Sequence, residues 1–248
     1  MPDQISQTTS TDDSESLNFL TTLQSIATKH ELNPYAKGEE VIYEFTHDPA
    51  LLHQYYNLRE TVYRKSFGLK DFDGGEDFYD KLSHILIARR GNLCLGGCRL
   101  TIREGDEAWL LPTEVDEYIF RDLFPDFELD SVRHGEISRF VIMEDSGKDD
   151  DIFYGLCKAM YERVVISDIN YLFASSTYSM ARNWRFIANN FGVRTTKIMN
   201  GIHPPDKVLG EDIKWYLTVS DLTSFCNQNL VRKNAIKKFY HQTSEILN

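Results

Sequence analysis

The sequence predicts an α/β protein with a central mixed sheet flanked by helices, and three observations lead to this prediction. Segments with alternating apolar residues, such as 41–45, predict strands. Segments with apolar residues three or four positions apart predict amphipathic helices. The two kinds of segment do not alternate regularly, as they would in a doubly wound parallel sheet. The order therefore fits a twisted mixed sheet with helices packed on it.

The elements before the second strand follow from polarity, helical spacing and a proline. Residues 1–15 have nothing to bury and are expected to form a disordered tail. Apolar residues at helical spacing predict a helical extension over 16–38. After the first strand, Asp48 is a typical N-cap and Pro49 fits the first turn of a helix. This helix is expected to continue to about Lys65.

The middle of the chain is expected to contain an acidic loop and a strand pair. Residues 66–80 are rich in Gly and Asp, which favours a loop. Two strands are predicted over 83–89 and 93–103, and Arg90-Gly91-Asn92 fits the turn of a hairpin between them. Residues 112–124 are expected to contain a loop and a short helix.

The second half of the chain follows the same spacing rules. Helical spacing of apolar residues predicts helices over 149–167 and 179–190. Apolar runs predict the remaining strands, over 136–143, 171–174, 193–198 and 214–220. The last segment, 225–248, is expected to be a basic helix or tail. One domain is therefore expected over 39–224.

Composition and charge argue against several classes of function. The 248 residues carry a net charge of −11, so general nucleic-acid binding is not expected, because it needs a surface that neutralises phosphates. Cys94, Cys98, Cys157 and Cys226 form no C-x-x-C pair, so we expect no metal site and a reducing compartment. We recognise no signal peptide and no membrane span, which predicts a cytoplasmic protein.

Two groups of charged residues in the first third of the chain are candidates for chemistry. Arg59 and Tyr63 are four residues apart on a predicted helix and share a face. An arginine there is more often a solvated side chain. Asp77 and Asp80 lie at the end of the acidic loop, where they could simply cap the next element.

Two further groups lie on predicted strands. Arg99 is part of the run from Gly96 to Leu100, and the second group is the segment Glu136-Ile137-Ser138-Arg139-Phe140. In a regular strand Glu136 and Arg139 would point to opposite faces. A buried ion network with no function is the alternative interpretation of all these groups.

Taken in order, these groups resemble the motifs of the acyl-homoserine-lactone (autoinducer) synthases. That family has an Arg and an aromatic residue four apart, then D-x-x-D, G-x-x-R-L, P-T with a later F-P, and E-x-S-R-F. The matching residues are Arg59 and Tyr63, Asp77 and Asp80, Gly96 to Leu100, Pro112-Thr113 with Phe124-Pro125, and Glu136 to Phe140. The resemblance covers about residues 42–222 and implies an N-acetyltransferase-like (GNAT) fold.

The chain departs from the family at three points, one of which is an unusual N-terminal extension of about forty residues. Tyr63 stands where the family usually has Phe, and the family's Trp near Phe67 is absent. That Trp belongs to the nucleotide-substrate pocket in the family. The related N-acyl amino acid synthases share the fold, the acyl donor and many of the motifs.

The resemblance implies that an acyl chain moves from acyl carrier protein to the amine of S-adenosylmethionine, after which a lactone closes. The product would be an acyl-homoserine lactone, a quorum-sensing signal, and S-adenosylmethionine would be a substrate, with no prosthetic group. Glu136 is expected to be the base or to order a water that acts as one. The full expected site consists of catalytic Glu136, Arg139, Asp77 and Asp80, with Arg59, Tyr63, Arg99, Ser138 and Phe140 binding substrate.

The roles of the other charged residues also follow from the resemblance. Asp77 and Asp80 are expected to bind the cationic amine or to hold arginines in place. Arg99 and Arg139 are expected to neutralise the substrate carboxylate or to brace the aspartates. Because acyl carrier protein is acidic, it is expected to dock on a basic cluster. The candidates are Arg182, Arg185, Arg194 and Lys197, or Arg232, Lys233, Lys237 and Lys238.

Three other functions stay open at this point. An N-acyl amino acid synthase would use the same donor and a free amino acid, and the missing Trp favours it slightly. A non-catalytic acyl-binding module would be expected to lack the charged site residues, yet they are all present. A generic acetyl-CoA acetyltransferase would need a glycine-rich pyrophosphate loop after the Glu136 strand, and the segment after Met143 is acidic instead.

Overall fold

A computed structural model describes residues 40–105, 107–143, 150–199, 202 and 214–224. All of them fall in one compact unit, Glu39–Asn229. The predicted tail over 1–15, the extension over 16–38 and the basic segment 225–248 lie outside the described residues, as does Cys226.

The described residues form seven strands and five α-helices. The strands are β1 Val41–Phe45, β2 Ser83–Arg90, β3 Leu93–Arg103, β4 His134–Ile142, β5 Tyr171–Thr177, β6 Thr196–Ile198 and β7 Trp215–Asp221. The helices are α1 Pro49–Ser66, α2 Phe78–Lys81, α3 Phe120–Leu123, α4 Asp150–Ile166 and α5 Tyr178–Asn190. Two short 3₁₀ turns, Pro125–Phe127 and Leu129–Ser131, precede β4.

The strands form a single mixed sheet in the order β1-β2-β3-β4-β5-β7-β6. Its pairs are antiparallel except for β4 with β5. The ladder between those two strands ends at the pair Ile137 and Ala174, although both strands continue. The predicted mixed sheet flanked by helices is confirmed.

Helices cover both faces of this sheet. On one face α1 packs against β2, β3 and β4 through a cluster that includes Leu51, Tyr55, Ile85 and Val141. On the other face α4 and α5 pack together, where the Tyr161 ring stacks on aromatic rings of α5 and of the turn that follows it. The candidate residues lie mainly on the α1 face.

The predicted elements are largely present, with differences at their ends. Asp48 caps α1 as expected, accepting from the N–H groups of Ala50 and Leu51. The strand predicted over 193–198 is shorter, because Gly192 has a φ of +84° and the turn it makes delays β6 until Thr196. A short helix, α2, lies inside the predicted acidic loop.

Candidate active site

Arg59 is a buried arginine whose three side-chain nitrogen atoms all donate to acceptors in the acidic loop. It is 1% exposed. Its Nη1 and Nη2 donate to the two carboxylate oxygens of Asp80 at 3.0 and 2.9 Å, and its Nε donates to the Gly74 carbonyl at 3.0 Å. Nη2 also donates to the carbonyl of Gly75. This two-pronged arrangement uses the fixed geometry of a guanidinium group.

Gly74 allows the loop to approach α1 closely enough for this contact. A Cβ atom at this position would lie 2.3 Å from the Glu60 Cβ and 2.5 Å from the Tyr56 carbonyl oxygen. Only glycine fits that approach, since real Cβ atoms never come so near to backbone. The sequence Gly74-Gly75 is therefore part of the site and not only a flexible link.

Asp77 and Asp80 form a reciprocal cap at the start of α2. The Asp80 N–H donates to Asp77 Oδ1 and the Asp77 N–H donates to Asp80 Oδ2, both at 2.9 Å. Such a capping box fixes the two carboxylates relative to each other. The interpretation of these aspartates as caps is confirmed, and the same carboxylates also bind arginines.

Arg99 on β3 joins the two aspartates to β4. Its Nη1 donates to Asp77 Oδ1 at 2.7 Å and to Asp80 Oδ1 at 2.9 Å, and its Nε donates to Ser138 Oγ at 3.0 Å. The side chain is 1% exposed. Arg99 therefore ties α2 to the centre of the sheet.

Arg139 reaches this group because β4 contains a β-bulge. Arg99 pairs with Ser138 but Gly97 pairs with Val141, so two residues of β4, Arg139 and Phe140, face one residue of β3. Arg139 has a φ of +57°, which non-glycine residues rarely adopt. Glu136 and Arg139 would point to opposite faces if β4 were regular. Because of the bulge, Arg139 instead turns toward α1.

The Arg139 guanidinium lies among aromatic rings at the edge of the aspartate pair. It is 5.5 Å from the Tyr63 ring centre and 5.0 Å from that of Phe72. Its Nη2 is 3.6 Å from Asp77 Oδ2, and its Nε is buried without a hydrogen-bond partner in the described part of the chain. The Tyr55 hydroxyl donates to its carbonyl at 2.8 Å, which holds the bulge against α1.

The charges of this group do not cancel. Burial would raise the pKa of Asp77, but the neighbouring Arg99 guanidinium and its hydrogen bond hold that pKa below its usual value. Burial would lower the pKa of Arg59 and Arg99, but their carboxylate partners raise both. Three guanidinium groups thus face two carboxylates, and the surplus positive charge lies at Arg139, the arginine with unused donors.

Glu136 lies on the same face of the sheet in a separate, fully buried setting. It is 1% exposed, and Thr113 donates to both of its oxygens, from the N–H at 2.9 Å and from the hydroxyl at 2.7 Å. Burial raises the pKa of Glu136 to about 7, although the Thr113 hydrogen bonds and Arg99 act in the opposite direction. A carboxylate with this pKa can accept and release a proton at neutral pH.

The raised pKa of Glu136 predicts a pH-dependent stability that glutamine at this position removes. The pKa rises from 4.5 to about 7 on folding, so the folded protein holds this proton more tightly than the unfolded chain. The stabilisation is complete below about pH 4.5 and is lost as the pH rises to about 7. Relative to Glu136→Gln, the wild type should lose roughly 2–3 kcal/mol of unfolding free energy between pH 5 and pH 8.

Urea unfolding of both proteins at several pH values measures this difference. Parallel stability curves over pH 5–8 would show that Glu136 has an ordinary pKa in the folded protein. Glu117→Gln, which changes an exposed carboxylate in the loop that carries Thr113, provides the control and should follow the wild-type curve.

The structure brings most of the predicted residues together. Those in direct contact are Arg59, Tyr63, Asp77, Asp80, Arg99, Ser138 and Arg139. Glu136 precedes Ser138 on the same face of β4 but its oxygens bind Thr113. Phe140 packs on the other face against Phe153 of α4, with ring centres 5.4 Å apart, so it does not join the ionic group.

Two residues of the site carried no predicted role. Thr113 was part of a matching motif, yet its contact with Glu136 depends on a loop whose path the sequence does not reveal. Tyr55 lies four residues before Arg59, so helical spacing alone places both on one face.

Among the described residues no group of His, Cys, Asp and Glu side chains could hold a metal ion. In the same residues no helix is long and apolar enough to cross a membrane.

Comparison with known proteins finds structural similarity without detectable sequence relatives. No protein-family model matches the chain, and no curated protein matches it. The structure of FeeM, an N-acyl amino acid synthase from uncultured soil microbes, has a TM-score of 0.55 at 11% identity. The similarity covers 77% of this chain and 96% of FeeM.

Two acyl-homoserine-lactone synthases are also among the similar structures. LasI has a TM-score of 0.49 at 20% identity, covering 74% of this chain and 91% of its own. The coenzyme A-dependent synthase BjaI has a TM-score of 0.46 at 18% identity, covering 76% and 81%. The predicted N-acetyltransferase-like fold class is confirmed, and the chain shares its fold with an N-acyl amino acid synthase.

Proposed function

We propose that the chain is an N-acyltransferase that moves an acyl chain from acyl carrier protein to the amine of S-adenosylmethionine, giving an acyl-homoserine lactone. One observation supports this most directly. A buried carboxylate with a pKa of about 7, Glu136, shares one face of the sheet with an arginine, Arg139, that has unused donors. A base for an amine and a cation for a carboxylate are what an α-amino acid acceptor requires.

The reaction begins when the acceptor amine loses a proton to Glu136, directly or through one water. The amine nitrogen then attacks the thioester carbonyl, and the thiolate leaves and takes up a proton. In the second step the methionyl carboxylate attacks its own γ-carbon, and methylthioadenosine leaves with the electrons of the C–S bond. Holding both substrates in one orientation contributes much of the rate.

Aromatic rings beside Arg139 support an acceptor with a flat group. The rings of Tyr63 and Phe72 are stacked with centres 4.6 Å apart, and Phe67 lies 5.1 Å from Tyr63. The Phe67 ring is 5.6 Å from that of Trp215, at the start of β7. An indole thus lies next to Phe67 although the family's Trp is missing there, which supports an acceptor that carries a nucleoside.

Mass spectrometry of organic extracts from cells that express the protein tests this proposal. Acyl-homoserine lactones that disappear in cells expressing Glu136→Gln are the expected result, and their masses give the acyl length. Open-chain N-acyl amino acids, with no lactone, would instead identify an N-acyl amino acid synthase. No acylated product in either culture would contradict the transferase proposal and favour an acyl-binding module.

The exposed face of α5 fits an acidic acyl carrier protein as the donor. Arg182, Arg185 and Phe186 are exposed, and the last two follow Arg182 by three and four positions, so the three lie on one side of the helix. Arg194 and Lys197 in the turn and strand that follow are exposed as well. A basic surface around an apolar side chain is complementary to an acidic partner. The second basic cluster, near Arg232, lies outside the described residues.

Charge reversal on α5 is expected to weaken use of the carrier-bound donor alone. The double variant Arg182→Glu/Arg185→Glu should raise KM for acyl carrier protein by about tenfold, because attraction becomes repulsion. Acylated coenzyme A, which lacks the protein surface, should be used as by the wild type. Arg121→Glu/Arg133→Glu carries the same change of charge elsewhere and is the control. Equal effects of both double variants would exclude α5 as the docking surface.

A further inference from the structure

Thr113 engages both oxygen atoms of Glu136 with donors from one residue. Its N–H donates to Oε2 at 2.9 Å and its hydroxyl donates to Oε1 at 2.7 Å. Two donors at a fixed separation determine the plane of the carboxylate as well as its distance. Thr113 is 3% exposed and Glu136 1%, so bulk water does not compete for these hydrogen bonds.

The neighbouring residue, Glu114, holds Thr113 in place. Its Oε2 accepts from the Leu111 N–H and its Oε1 accepts from the Phe120 N–H, both at 2.7 Å. These two N–H groups lie on either side of Thr113 along the chain, so the Glu114 side chain closes the loop around it. Arg103 Nη1, 4.0 Å from Glu114 Oε2, supplies an opposite charge. The position of Thr113 is therefore set independently of Glu136.

The other titratable groups near Glu136 come from three directions. Arg99 on β3 favours the ionised carboxylate, and Glu114 in the loop favours the neutral acid. The phenols of Tyr79 on α2 and Tyr118 in the loop also interact electrostatically with Glu136. Burial opposes ionisation most strongly, so each donor that favours the charged form matters.

We infer that Thr113 is a positioning residue for Glu136, which orients the carboxylate and favours its ionised form for proton transfer. This inference rests on the proposed function, because it takes Glu136 as the base. A carboxylate has about four lone pairs, and Thr113 engages one on each oxygen. Each oxygen therefore keeps one lone pair for the acceptor amine or for the water that relays its proton.

The pH profile of kcat/KM tests this role with Thr113→Val and Thr113→Ser. Valine keeps the shape and the backbone N–H but lacks the hydroxyl, so the acidic limb should move up by about one pH unit. That shift lowers kcat/KM at pH 7 about fivefold and leaves it near the wild-type value at pH 9. Serine retains the hydroxyl and should keep the wild-type limb.

Thr101→Val is the matched control for loss of a buried hydroxyl. Thr101 is paired with Glu136 in the β3–β4 ladder, but its hydroxyl bonds to Ser83 Oγ at 2.7 Å. Thr101→Val should leave the acidic limb of the kcat/KM pH profile unchanged. If Thr113→Val does not fold, Thr113→Ala provides the same comparison. If the folded variant without the Thr113 hydroxyl keeps the acidic limb of the wild-type pH profile, the inference is overturned. An equal shift of that limb in Thr101→Val would overturn it as well.

Infrared titration separates this inference from the proposed function. Protonated Glu136 gives a carboxylic-acid carbonyl band that is absent from the spectrum of Glu136→Gln. This band reports the protonation of Glu136 without any substrate. A higher midpoint in Thr113→Val, with no turnover by the wild type, would support the positioning role and contradict the transferase. Wild-type turnover with an unchanged midpoint in Thr113→Val would contradict the positioning role alone.

Discussion

Replacing Glu136 with glutamine is expected to lower kcat/KM for acyl transfer by about 100- to 10,000-fold, the range that loss of a general base usually produces. Glutamine has nearly the same shape, so the strand and the loop should keep their positions. Its amide cannot take a proton from the acceptor amine. Release of free thiol from the acyl donor, followed over time, measures the rate.

The stability of the same variant distinguishes loss of chemistry from loss of fold. Because Glu136 is ionised at an energetic cost above pH 7, Glu136→Gln should unfold at urea concentrations equal to or above those of the wild type at pH 8. Near-normal turnover would exclude Glu136 as the base. Glu117→Gln, which changes an exposed carboxylate in the loop that carries Thr113, should retain full activity.

Replacing Asp80 with asparagine is expected to lower the free energy of unfolding by about 3–5 kcal/mol, the usual cost of breaking a buried ion pair from one side. The Asp80 side chain is fully buried, and it accepts from Arg59 twice and from Arg99 once. Asparagine would remove the carboxylate to which Arg59 donates and would leave Arg99 with Asp77 alone. Urea unfolding at pH 7 measures the loss.

A surface pair on α1, the helix that carries Arg59, is the control for this variant. Glu60 and Arg64 form a partly exposed ion pair four residues apart on α1, so Glu60→Gln should cost no more than about 1 kcal/mol. If Asp80→Asn cost as little as Glu60→Gln, the buried ionic group would not be an important source of stability, and its geometry would serve ligand binding alone.

The sheet was predictable because its strands carry local patterns that tertiary structure does not override. The hairpin of β2 and β3, with Gly91 in its turn, follows from alternation and one turn residue. The start of the strand predicted over 193–198 was not predictable, because it depends on how Gly192 closes the turn after α5. Helix α2 was missed because its four residues are too few to show a period.

The ionic group was predictable as a set of residues but not as a geometry. Residues four apart on a helix, such as Arg59 and Tyr63, necessarily share a face. The contact between Thr113 and Glu136 joins positions 23 residues apart through an irregular loop, and no periodic pattern describes such a path. The position of Arg139 depends on a backbone conformation that its residue type does not favour.

The bulge at Arg139 has a consequence for insertions and deletions in β4. Removing one residue from a strand normally moves every later side chain to the wrong face. Here β4 has one residue more than β3 needs, so deletion of Arg139 alone would restore a regular ladder. Phe140 would still face α4 and Val141 would still face α1. The pairing of β4 in the sheet therefore does not require Arg139, whereas the ionic group of the site does.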